Sequence, residues 1–172
     1  ANDEKIHDIK ADITVTSTAD FLPPETHLKI WQKGDKQKVE EIYPEQEICV
    51  RPVLPDVEQA TFMERSIVSY DSQNNIYIIK SKVISQTEEY PYEIDYIDYT
   101  KGVVVKTEYY LEEANFEMVQ VKEFLGFIQI DDVWGFQKEV ETVFGNGELY
   151  YTTTNIYSNI EINTGILDSE FQ

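Results

Sequence analysis

Cations and thiols are scarce in this chain. Its 172 residues include only 14 Lys and Arg against 33 Asp and Glu, a formal net charge of −19. A surface of that sign repels phosphodiester backbones and anionic headgroups, so nucleic-acid binding and polybasic membrane attachment drop away. Cysteine occurs once, at Cys49, which leaves no intramolecular disulfide and no metal–thiolate cluster. Within Ile48-Cys49-Val50 it reads as a small buried hydrophobe. The two histidines, His7 and His27, come without a Gly-x-Ser-x-Gly elbow or a His-Glu-x-x-His pair. A His-dependent hydrolase and a zinc site therefore lack their residues, and neither a metal nor a cofactor is expected. Gly145-Asn146-Gly147 joins two extended segments and opens no helix, so it is no phosphate cradle. No stretch approaches the ~18 apolar residues of a membrane-spanning helix.

Helix formers are also few: Leu and Ala total 12, whereas Ile and Val total 34. With Thr, Tyr, Phe and Trp, the β-branched and aromatic residues reach 69 of 172, a composition suited to pleated, half-buried surfaces. The expectation is a mainly β chain with little helix, one domain over residues 1–172. Period-2 alternation supports it: Ile9, Ala11, Ile13 and Val15 alternate with Lys10, Asp12, Thr14 and Thr16. Phe21-Leu22-Pro23-Pro24 and Lys33-Gly34-Asp35-Lys36 turn the chain, and the alternation returns around Leu28, Ile30 and Val39. From Arg51 to Glu64 the pattern lapses into a loop or short helix, the one candidate lid. Strands then resume through Ile76–Ile79, Tyr92–Asp98, Val103–Tyr110, Phe116–Phe124, Phe136–Phe144 and Glu148 to about Ile162. Asp131-Asp132 reads as a turn, and Asn146-Gly147 is the strongest hairpin signal. The count is about 10–11 antiparallel strands, more than a single flat sheet carries without curling.

Several strands are apolar on both faces. Phe116, Met118 and Phe124 fall on one side of their strand with Val119 and Val121 on the other, and Val103-Val104-Val105 repeats the pattern. Such a sheet is covered on both faces or lines a cavity. Alternation nominates Ile13, Val15, Leu28, Ile30, Ile76, Ile78, Phe116, Met118, Phe136, Val140 and Phe144 as the lining of an apolar cavity. Carboxylate pairs such as Asp95 with Asp98, or Glu88 with Glu89, are what a carboxylate-dependent enzyme would need, but so many acids mostly describe a solvated face. The 12 Tyr and two Trp read as cross-strand pairs. Nothing in the sequence calls for catalysis, and the expectation is a binding or interaction protein rather than an enzyme.

Four segments, in order along the chain, add a resemblance. Trp31-Gln32-Lys33-Gly34-Asp35-Lys36-Gln37-Lys38-Val39-Glu40 and Tyr96–Tyr110, with its Thr100-Lys101-Gly102 turn, resemble hairpins of the outer-membrane lipoprotein-sorting proteins, the LolA/LolB-like superfamily. Gly126–Phe136 resembles that family's link into its next-to-last strand, and Ile160–Phe171 its closing segment. The resemblance implies a strongly curved antiparallel sheet forming an incomplete barrel, with an apolar ligand, a lipid or a lipoprotein acyl chain, held in the concave face. It also implies a carrier-like role outside the cytoplasm, in the periplasm or cell envelope, with a signal peptide already removed ahead of Ala1. An envelope protein is the other partner such a fold implies. The alternative function is a non-enzymatic protein-interaction or envelope-sensing domain of the same fold with a filled interior. That reading predicts no ligand-sized cavity.

Overall fold

The computed structural model describes residues 6–43, 49–52, 63–83, 92–111 and 117–171. Among them run eleven strands: β1 (Asp8–Ser17), β2 (Glu25–Lys33), β3 (Lys36–Tyr43), β4 (Cys49–Pro52), β5 (Met63–Asp71), β6 (Ile76–Val83), β7 (Tyr92–Asp98), β8 (Val103–Tyr110), β9 (Met118–Ile130), β10 (Val133–Gly145) and β11 (Glu148–Ile162). A 3-10 turn at Asp168–Phe171 follows, and no α-helix occurs among the described residues. The strands order as β4-β3-β2-β1-β11-β10-β9-β8-β7-β6-β5. Two meanders, β1 to β4 and β5 to β11, are thus joined where the first strand pairs antiparallel with the last. Among the described residues β4 and β5 end the order, so the ladder is not closed. Pro52, which cannot donate to a ladder, sits on an edge strand where that costs nothing.

The expected elements hold with local differences. The lapse read over 51–64 is trimmed at both ends, because Arg51 and Pro52 belong to β4 and Met63 and Glu64 to β5. The intervening residues, and with them the candidate lid, lie outside the described residues. β9 does not stop at Phe124 but runs on to Ile130, through Gly126, whose φ of +65° interrupts the pleat where most residues would be strained. Asn146 and Gly147 both have positive φ, 53° and 78°, the backbone that a two-residue hairpin turn demands.

Backbone contacts divide the chain into two compact units. One comprises residues 1–55, 126–138 and 153–172; the other comprises 56–125 and 139–152. In the first, Ala11, Ile13, Ala19, Trp31, Val133, Ile162 and Ile166 are buried. Trp31 departs from expectation, since alternation assigns it with Lys29 to the solvated side of β2. Lys38 lies over its ring at 5.0 Å, and the chain after β11 borders the same spot. That tail is clasped by Asp8, which is itself buried. The Asp8 carboxylate accepts from the Thr164, Gly165 and Ile166 amides at 2.9, 3.0 and 3.3 Å and from the Thr164 hydroxyl at 3.3 Å. Lys33 adds a bond from Nζ to the Ile166 carbonyl at 2.8 Å and an ion pair to Asp168. In the second unit the buried set is mostly polar: Ser81, Asp98, Thr107, Glu108 and Gln120, with Tyr92 and Val121.

Candidate functional site

In the first unit the pairing of β1 with β2 sets Ile13 opposite Leu28, Ala11 opposite Ile30 and Val15 opposite Thr26. Directly paired residues share a side of the sheet, so Ile13, Val15, Leu28 and Ile30 project together. Ile30 in turn faces Val39, and Ile13 faces Tyr157 on β11. The Phe136 ring meets Tyr157 edge-on with centroids 5.3 Å apart, which brings Phe136 to the same side. Of these candidates only Ile13 is fully buried; the others are half-buried. The reverse side carries a recess of about 300 Å³ lined by Trp31, Lys10, Lys29, Glu161, Glu170 and the tail.

In the second unit, registers through β5 to β9 define two faces. One holds Ile76, Ile78, Lys80 and Lys82 of β6, opposite Asp98, Tyr96, Ile94 and Tyr92 of β7. It continues through Lys106, Glu108 and Tyr110 of β8 to Glu123, Val121 and Met118 of β9. Simple alternation separates Met118 from Val121. Here Tyr109 pairs with Gln120 and Tyr110 with Met118, so Val119 is an extra residue and the two apolar side chains meet on one face. The same register turns Phe124 to the other face, away from Met118. Gln120 donates to Glu141 across the second face, so alternation along β10 turns Val140 and Phe144 toward the first. Ile76, Ile78, Met118, Val140 and Phe144 therefore share one face of their unit, all half-buried. Phe116 lies outside the described residues.

That face is mixed rather than greasy. Glu108, buried between Ile94 and Val121, accepts from the Tyr96 hydroxyl at 3.1 Å and the Tyr110 hydroxyl at 2.9 Å, and pairs with Lys106 Nζ at 2.6 Å. Burial raises the Glu108 carboxyl, but the Lys106 and Tyr110 hydrogen bonds, with Tyr96, outweigh it and hold it below the usual range. Burial first, and then Glu108, pushes both phenols up, so they stay protonated donors at neutral pH. With three donors engaged, this carboxylate orders the face. The second face is acidic: burial pushes the Tyr109 phenol up to about 12, helped by Glu93, Asp95, Glu141 and Glu139.

The carboxylate pair Asp95 and Asp98 is not assembled. Asp95 faces Thr107, whose hydroxyl donates to it at 2.7 Å, while Asp98 lies on the opposite face and caps the next turn. Asp98 accepts from the Thr100 and Lys101 amides at 2.9 and 3.1 Å and pairs with the Lys101 ammonium. Three residues apart on a strand, the two carboxylates point in opposite directions. Glu88 and Glu89 lie outside the described residues. No cluster of three or more His, Cys, Asp or Glu side chains suited to a metal occurs among the described residues.

A second recess, of about 450 Å³, lies over β5 to β7 and is lined by Glu64, Arg65, Ser66, Lys80, Lys82 and Tyr92. Lys80 and Lys82 each lie over the Tyr92 ring, at 5.0 and 5.6 Å. Neither recess includes any of the eleven nominated residues, and the residues that line them went unnominated. The signal was present in β6, where Ile76, Ile78, Lys80 and Lys82 occupy alternate positions and so share a face.

No family model matches the chain, and no curated protein matches it in sequence. Solved structures do match its fold. A DUF1329 family protein from Desulfovibrio piger superposes with a TM-score of 0.75 at 12% identity, over 98% of this chain and 91% of that one. A putative outer membrane lipoprotein-sorting protein domain from Vibrio parahaemolyticus gives 0.70 at 11% identity, over 96% and 89%. A LolA superfamily protein from Nitrosomonas europaea gives 0.69 at 10% identity, over 96% and 90%. No helix among the described residues is long and apolar enough to cross a membrane. The open antiparallel ladder of this chain is thus the fold seen in outer membrane lipoprotein-sorting and LolA superfamily structures.

Proposed function

We propose that the protein is a non-enzymatic binding protein that holds an apolar ligand, a lipid or a lipoprotein acyl chain, outside the cytoplasm. One observation carries the reading: within each unit the described nominated residues share one face, and all but the buried Ile13 remain half-exposed. Val15, Leu28, Ile30 and Phe136 form one such surface around Ile13, and Ile76, Ile78, Met118, Val140 and Phe144 the other. Half-exposed apolar faces on a chain of net charge −19 are the surface an apolar ligand would cover. The fold similarity to a lipoprotein-sorting domain agrees with this role and with a place in the cell envelope. Binding would draw on burial of apolar area, about 25 cal/mol per Å² before ordering costs. Native mass spectrometry of protein purified without detergent tests the reading. The expected result is co-purified lipid, or uptake of added fatty acid in a defined ratio. A ligand-free protein that takes up none would overturn it.

A second reading, docking of an envelope protein, is favoured by β5. This strand ends the sheet order, and Ile67 and Val68 are 68% and 58% exposed along it. Among the described residues β5 pairs with β6 alone, and an edge of this kind accepts a strand from a partner. Ile67→Lys would abolish capture of such a partner and leave lipid uptake untouched.

A further inference from the structure

The recess over β5 to β7 differs from the rest of this acidic molecule. Two of the chain's 14 cations, Lys80 and Lys82, line it from one face of β6 against one carboxylate, Glu64; Arg65 borders it too but pairs in register with Ser81, on the opposite face. Glu64 pairs in register with Lys82, and Ser66 with Lys80, so the other groups facing the two ammoniums from β5 are one acid and one hydroxyl. From β7 they face Tyr92 and Ile94. Tyr92 is buried, and both ammoniums lie over its ring, which limits the entropy lost when they engage a ligand. Its volume of about 450 Å³ suits a small polar group rather than a macromolecular surface.

What makes this more than a charged patch is what adjoins it. On the same face of β6, Lys82 and Lys80 give way to Ile78 and Ile76, and Ile94 lies directly opposite Lys80. At ~3.3 Å per residue, the apolar track begins about 7 Å from Lys80 and extends roughly as far again. One strand face therefore reads cationic, then apolar, which is the complement of an anionic amphiphile.

We propose that Lys80 and Lys82 form the headgroup subsite for a singly tailed amphiphile with a terminal anion, carboxylate or phosphate monoester. The chain of that ligand lies over Ile94, Ile78 and Ile76. The assignment rests on the apolar-ligand reading above and adds to it a headgroup chemistry and a polarity of binding. It also answers the difficulty posed by a net charge of −19, because the anion meets a local field of opposite sign.

The test compares three probes sharing one chain: oleate, oleoyl lysophosphatidate and the neutral oleyl alcohol, each presented below its critical micelle concentration. Affinities are read by displacement of a fluorescent fatty alcohol from the intact protein and from Lys80→Gln/Lys82→Gln. The expected result is about tenfold tighter binding of an anionic probe than of the alcohol, a gap that closes in the double variant and shrinks in high salt. Which anion leads, oleate or lysophosphatidate, identifies the carboxylate or the phosphate as the ligand class. Equal binding of all three probes would overturn the headgroup subsite and leave the apolar-ligand reading standing. Binding of none would overturn both. Because both lysines lie in an open recess, the variant is expected to keep the wild-type circular dichroism spectrum. Loss of alcohol binding in the double variant would also count against the proposal, since a headgroup subsite has no part in holding a neutral chain.

Discussion

The two units solve the same problem, stabilising part of an open β ladder, with different materials. The unit containing β1 to β4 buries Ala11, Ile13, Trp31, Val133, Ile162 and Ile166, so apolar packing holds it. The unit containing β5 to β8 buries Ser81, Thr107, Glu108 and Gln120, and its isoleucines on the first face stay half-exposed. Polar networks order this second unit while much of its apolar surface remains available. A ligand-binding face needs that combination, because side chains committed to a filled core have nothing left to offer a ligand.

Substitutions can break or sharpen this contrast. Ile13→Ala has the largest expected effect, a loss of about 3 kcal/mol measured by denaturant unfolding, because it opens a cavity in a packed region. Ile78→Ala, on the half-exposed face, is expected to cost only about 1 kcal/mol, and equal losses at the two sites would erase the distinction. Glu108→Gln comes next, at about 2 kcal/mol, since it leaves Lys106 without its counter-charge and disturbs two phenol hydrogen bonds.

Acid reaches the same network. The Glu108 and Asp98 carboxyls are held below their ordinary values, against a burial effect that raises both. A depressed folded pKa stabilises above the unfolded value and is lost as pH falls through the folded one, so protection should weaken below about pH 4. Hydrogen exchange at pH 3.5 and pH 7 should show the loss concentrated in β7 and β8 rather than in β1 and β2. Asp8→Ala is expected to cost about 1.5 kcal/mol and to expose residues 163–171 to limited proteolysis, because four hydrogen bonds to the tail disappear. An effect as small as that of Ile78→Ala is expected at the hairpin: Asn146→Ala, at φ 53°, should cost about 1 kcal/mol in thermal unfolding.

Much of the ladder was legible from local chemistry. β7, β8 and β11 begin and end where alternation and turn residues place them, because hairpin strands pair with their neighbours and Asn-Gly or Thr-Lys-Gly fixes the connection. The faces were less legible. Met118 and Val121 share a side only because Val119 is an extra residue, and no periodicity carries a signal for a bulge. Asp95 and Asp98 look adjacent in the chain and lie on opposite faces. Lys80 and Lys82 carry no signal of a recess because polar residues on a strand read as solvated, and that recess depends on Glu64, Ser66 and Tyr92 from neighbouring strands.

By itself the sequence determined strand content, hairpin turns and the acidic skin, all properties of residue type and near-neighbour spacing. Only the tertiary structure decided that β1 pairs with β11 and that Asp8 holds a tail more than 150 residues away. It also decided that Trp31 is covered and that Lys80 and Lys82 meet Tyr92 beside an isoleucine track. The reason is physical: contacts between distant segments depend on how the whole ladder closes its hydrogen bonds, and side-chain periodicity along one strand holds no record of its eventual neighbours.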